Sequence, residues 1–120
     1  MRRKHHDLRL WQEAMSLVKD IYRVTGDFPR EETYALTSQM RRAAISIPSN
    51  IAEGAGRTGV REFLQFLSIT RGSLSELETQ VILAQDLGYL KDNCPLLEKI
   101  DGIFGLIGGL MNSLQQRLEK

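Results

Sequence analysis

Apolar residues recur with helical period in four segments of the chain, and nowhere does a run alternate with the period of two that a strand requires. The first segment, about residues 7–25, carries two neighbouring stripes. Leu8, Trp11, Met15, Val18 and Tyr22 form one, and Leu10, Ala14, Leu17, Ile21 and Val24 the other. Asp7 suits a cap at its start, and Gly26 with Pro29 ends it. The second, about 31–55, spaces Leu36, Met40, Ala43, Ile47 and Ile51 by four, three, four and four. Pro48 lies inside it; the ring removes one N–H and opposes the carbonyl of Ala44, which predicts a kink rather than a break because the apolar spacing continues in phase. Gly54, Gly56 and Gly59 then predict a turn after about Ala55. The third segment, about 60–87, sets Phe63, Phe66, Leu67, Thr70, Leu74, Leu77, Val81 and Ala84 on one face, and Gly88 with the Asp92-Asn93-Cys94-Pro95 cluster closes it. The fourth, about 95–118, alternates Leu96, Ile100, Ile103, Ile107, Leu110 and Leu114 by four and three, the spacing of a bundle seam. Leu97, Phe104, Met111 and Leu118 repeat every seven residues beside it.

Helices of this length span roughly 30 to 40 Å at ~1.5 Å per residue, so four joined by short loops pack most simply as an all-α, antiparallel, up-down-up-down four-helix bundle. The reading is of one domain, residues 1–120, with a flexible basic N-terminus over about 1–6. More apolar residues are present than one core needs: the first and fourth helices have wide apolar arcs, and Leu64, Ile69, Ile82, Leu83 and Leu87 fall off the main face of the third. Such a surplus predicts a homo-oligomer. Gly102, Gly105, Gly108 and Gly109 each cost about 1 kcal/mol against Ala inside a helix, which predicts close approach of a neighbouring helix from the same bundle or another subunit.

Composition adds mainly exclusions. The single cysteine, Cys94, cannot form an internal disulfide and fits a reducing cytoplasm. The basic start of the chain has no apolar segment of signal-peptide type behind it, and the stretch 103–111 is too short and glycine-rich to span a bilayer, so no membrane association is expected. The only histidines, His5 and His6, are adjacent and do not converge on a metal, which also leaves histidine-based catalysis without a candidate. Cys94 has no evident partner base. The run 54–59 lacks the preceding strand and the Gly-Lys-Ser/Thr ending of a phosphate loop, and Glu13, Glu53, Glu62 and Glu78 do not form the Glu-x-x-His pattern of a di-iron bundle. No enzyme, metal or cofactor is expected.

Two polar features remain. Arg42, Ser46, Ser49 and Glu53 share a flank of the second helix around Pro48, with Asn50 beside them and Arg71 available on the third helix. They suit a structural hydrogen-bonded network that satisfies the carbonyl freed by the proline, or a notch for a protein partner. Between Gln39 and Gly72, Arg41, Arg42, Arg57, Arg61 and Arg71 face only Glu53 and Glu62, although the net charge of the whole chain is only +1. Arg41, Arg42, Arg57 and Arg61 are thus the candidate phosphate contacts, without the interleaved aromatics that read single-stranded bases.

The run Leu36-Thr37-Ser38-Gln39-Met40-Arg41-Arg42-Ala43-Ala44-Ile45-Ser46-Ile47-Pro48-Ser49-Asn50-Ile51-Ala52-Glu53-Gly54 resembles the hallmark of the bacterial four-helix-bundle family called 23S rRNA intervening-sequence proteins. Leu10-Trp11-Gln12-Glu13-Ala14-Met15, Phe28-Pro29 and Arg71-Gly72-Ser73-Leu74-Ser75-Glu76-Leu77-Glu78-Thr79 extend the resemblance over nearly the whole chain. It implies a bundle assembled into a ring-like homopentamer. Some family genes lie within insertions in large-subunit ribosomal RNA genes, and related proteins are accessory subunits to the reverse transcriptase of diversity-generating retroelements, where basic outer surfaces engage nucleic acid. The near-neutral balance here departs from that basic character. The resulting expectation is a non-enzymatic, cytoplasmic homo-oligomeric scaffold associating weakly with RNA or a nucleoprotein; the alternative is a protein-only interaction module.

Overall fold

A computed structural model describes residues 1–119, and its helices follow the apolar periodicity closely. Helix α1 spans Arg9–Thr25, α2 Leu36–Ala55, α3 Val60–Asp86 and α4 Leu96–Leu118, with no strand among the described residues. They pack as a four-helix bundle measuring 51 × 27 × 20 Å, α2 against α1 and α3, and α4 against α3 and α1. The core takes Leu17 and Ile21 from α1, Met40, Ile47 and Ile51 from α2, Leu67, Leu74 and Leu77 from α3, and Ile100, Ile103 and Ile107 from α4, all within about one per cent of full burial.

Burial decides between the two stripes of α1. Leu10, Ala14, Leu17 and Ile21 enter the core, whereas Trp11 and Val18 are half-buried and Met15 and Tyr22 exposed. Pro48 is buried within α2, which continues unbroken to Ala55. Two helix starts differ from expectation. Asp7 does not cap α1: it closes a 3-10 turn, Lys4–Asp7, and pairs with Arg2. Helix α2 begins at Leu36 instead of about 31 because Arg30–Glu32 form a separate 3-10 turn, from which the Glu32 carboxylate accepts the Leu36 N–H at 3.3 Å.

Glycine has a steric role at Gly54. A Cβ there would sit 2.6 Å from the Phe66 Cβ and 3.0 Å from the Phe63 Cδ1, so its absence lets α2 and α3 close together. Gly88 adopts φ +83°, the left-handed conformation that ends the α3 segment. The expected reason for the α4 glycines is corrected within the bundle: Gly102, Gly105, Gly108 and Gly109 face open space, with nothing within 4 Å of an added Cβ.

Polar ties between distant elements gather at one end of the bundle. Lys99 of α4 donates to Asp20 of α1 at 2.7 Å and also reaches Ser16. Arg41 of α2 donates to the Thr25 hydroxyl at 2.9 Å and lies over the Tyr22 ring. Tyr89, in the α3–α4 loop, donates its hydroxyl to Glu32 at 2.9 Å and packs against Phe28.

Candidate nucleic-acid and partner interface

The four candidate phosphate contacts occupy two separate places and differ in what they do. Eleven residues separate Arg42 from Glu53, about 16 Å along α2, and Arg57 and Arg61 lie beyond that, around the α2–α3 turn. Arg41 is half-buried and already engaged with Thr25 and Tyr22. Arg57 donates to Glu53 at 2.8 Å, lies 3.7 Å from Glu62 and covers the Phe66 ring. Arg42 and Arg61 are exposed, with no ion pair among the described residues. The expected cluster of four is therefore two structural arginines, each beside a surface one.

The expected network around Pro48 resolves into separate bonds along α2. Ser46 donates to the Ala43 carbonyl, Ser49 to that of Ile45, and Asn50 to that of Ser46, each at 2.7 Å. None of these three bonds reaches Ala44, the carbonyl released by the proline ring. Glu53 turns to Arg57, and no hydrogen bond joins Arg42 or Arg71 to this group among the described residues. These short polar side chains lie within reach of the carbonyls one helical turn back, and each donates there.

The histidines are packing groups. His5 packs edge-on against His6 and Trp11, His6 meets Trp11 at a tilt, and His6 Nδ1 accepts the Arg3 N–H. Desolvation, followed by the nearby His6 and Arg3 charges, holds the His5 pKa below the usual histidine value. No group of three or more His, Cys, Asp or Glu among the described residues is placed to hold a metal ion. Cys94 is a free thiol, half-buried at the loop before α4. No helix among the described residues is long and apolar enough to cross a membrane.

The surface feature absent from the sequence reading is a groove between α1 and α2. Trp11, Met15 and Val18 form one wall, and Ile45, Pro48 and Ala52 the other, around a volume of about 360 Å³. The α1 side was visible as the apolar stripe that carries Trp11, Met15 and Val18. The α2 side was hidden because Ile45 and Ala52 lie off the main spacing and Pro48 reads as a backbone feature.

No curated protein matches the sequence. The family described as 23S rRNA-intervening sequence protein matches residues 6–109, which takes in all of α1, α2 and α3 and over half of α4, and the chain belongs to that family.

Proposed function

We propose that this protein is a non-catalytic, cytoplasmic homo-oligomeric scaffold, the ring-like pentamer implied by its family resemblance, which associates weakly with RNA or a nucleoprotein. One observation carries the reading: large apolar side chains remain on the outside of the single bundle, among them Ile69 at 52% exposure, Leu87 at 50% and Ile45 at 43%. Ile45 joins Trp11, Met15 and Val18 in the α1–α2 groove, and uncovered apolar surface gathered in this way marks an interface. The family name points to a ribosomal RNA setting, and the nucleoprotein alternative rests on the sequence resemblance to retroelement accessory proteins alone. Arg42 and Arg61 are the cations left for phosphate.

A second reading, a protein-only interaction module centred on Arg42, Asn50 and Glu53, draws support from the internal engagement of Arg41 and Arg57, which thins the basic surface. One experiment separates the two: RNA binding by the purified oligomer, its mass measured in the same run, at about 50 and about 300 mM salt. Affinity that falls steeply with salt, and with Arg61→Ala while the oligomer mass stays unchanged, supports RNA association. Absence of binding at low salt by a confirmed oligomer rejects it in favour of protein partners.

A further inference from the structure

The outer surface holds two apolar features of different shape and opposite charge. The first is concave. The α1–α2 groove continues past Ile45 into a second depression of about 310 Å³, bordered by Tyr22, Tyr34 and Arg42, with Tyr34 at 95% exposure. This end of the groove is basic: Lys19 and Arg42 are exposed without an ion pair among the described residues, and residues 33–52 contain two arginines and no carboxylate, while Glu53 beyond the other end is paired with Arg57.

The second feature is a ridge on α3. Ile69, Glu76, Leu83 and Leu87 follow one another at spacings of seven, seven and four, which places them on a single helical row, and all four are exposed. Its middle is acidic: between the exposed Arg71 and Lys91 that bracket it, residues 72–90 contain Glu76, Glu78 and Asp86 and no basic residue.

We infer that the α3 ridge of one copy docks into the α1–α2 groove of the next. This rests on the self-assembly proposed above and specifies its contact. The occupant is a second copy because the same chain presents both halves: an apolar groove with basic edges and an apolar row carrying acids, so burial and charge favour the same pairing. Two different patches in contact form a head-to-tail interface, which leaves one groove and one ridge free in any dimer. Such an interface continues until the assembly closes into a ring or extends as a filament. Arg42 then faces the neighbour's carboxylates, and Arg61 remains the cation clear of the contact.

Mixing of blocked variants tests this directly. Ile45→Glu disables the groove and Leu83→Glu the ridge; both positions are exposed, and far-UV circular dichroism checks that each variant stays helical. Each alone is expected to have the monomer mass of 13.6 kDa. Mixed, they are expected to form heterodimers and nothing larger, because one intact groove meets one intact ridge. Arg42→Glu, a milder change, is expected to weaken assembly by about tenfold. Variants that assemble like wild type overturn this docking while leaving self-assembly standing, and monomeric variants that fail to pair on mixing overturn its head-to-tail form. A monomeric wild type at micromolar concentration removes the self-assembly reading itself.

Discussion

Gly54→Ala tests how closely α2 and α3 are held. Alanine in a helix interior is favoured over glycine by about 1 kcal/mol, so propensity alone predicts stabilisation. Packing opposes it, because the new methyl would lie 2.6 Å from the Phe66 Cβ and 3.0 Å from the Phe63 Cδ1, whereas carbon atoms rest at about 3.5–4.0 Å. The Phe66 Cβ is fixed to the α3 backbone and cannot swing aside, so relief requires about 1 Å of helix displacement. Overpacking of this kind costs about 1–3 kcal/mol, and a contact this short belongs near the upper figure. The net expectation is a loss of about 2 kcal/mol, or roughly 6–10 °C in Tm for a domain of this size. Urea denaturation of Gly54→Ala beside Gly102→Ala supplies the comparison. At Gly102 an added Cβ meets nothing within 4 Å, so that variant is expected to gain up to about 1 kcal/mol. Equal stabilisation of both variants would refute the steric account of Gly54.

Asp20→Asn removes the carboxylate beneath Lys99, and because neither side chain of this pair is more than about a quarter exposed, a loss of about 1–2 kcal/mol is expected by denaturant titration. Arg41→Ala is expected to cost about 1–2 kcal/mol through lost contacts with Thr25 and Tyr22, while Arg42→Ala leaves the stability of the isolated bundle within ~0.5 kcal/mol; equal losses would contradict the division between structural and surface arginines. The hydrogen bond to Glu32, then burial and the Glu32 and Glu31 charges, raise the Tyr89 pKa above 10.0. A raised folded pKa means that stability is fully present below the unfolded value and is lost as pH rises through the folded one. Wild type is therefore expected to exceed Tyr89→Phe in stability at neutral pH and to lose that advantage above pH 10, as urea midpoints across the range would show.

The α4 seam was legible because Leu96, Ile100, Ile103 and Ile107 repeat without interruption, and all four are buried. The choice between the α1 stripes was not, since Leu17 and Val18 are equally apolar and only packing by the other helices selects one. Arg41 read as a surface cation because its partner Thr25 lies sixteen residues away in another helix, a separation that no local pattern reveals. The glycines show the same limit from the other side: Gly54 read as part of a turn and Gly105 as a close approach, but only three-dimensional neighbours show that the first is crowded and the second open.

The gathering of Lys99–Asp20, Arg41–Thr25 and Tyr89–Glu32 at one end gives the bundle a direction of opening. The start of α1 and the end of α4 lie at the opposite end, as an up-down-up-down path requires. Amide exchange in the single bundle should therefore be graded along its long axis, slowest where α1 ends and α4 begins, and fastest where α1 begins and α4 ends. Solvent is expected to enter from the terminal end, with separation of the first and last helices resisted at the Lys99–Asp20 tie.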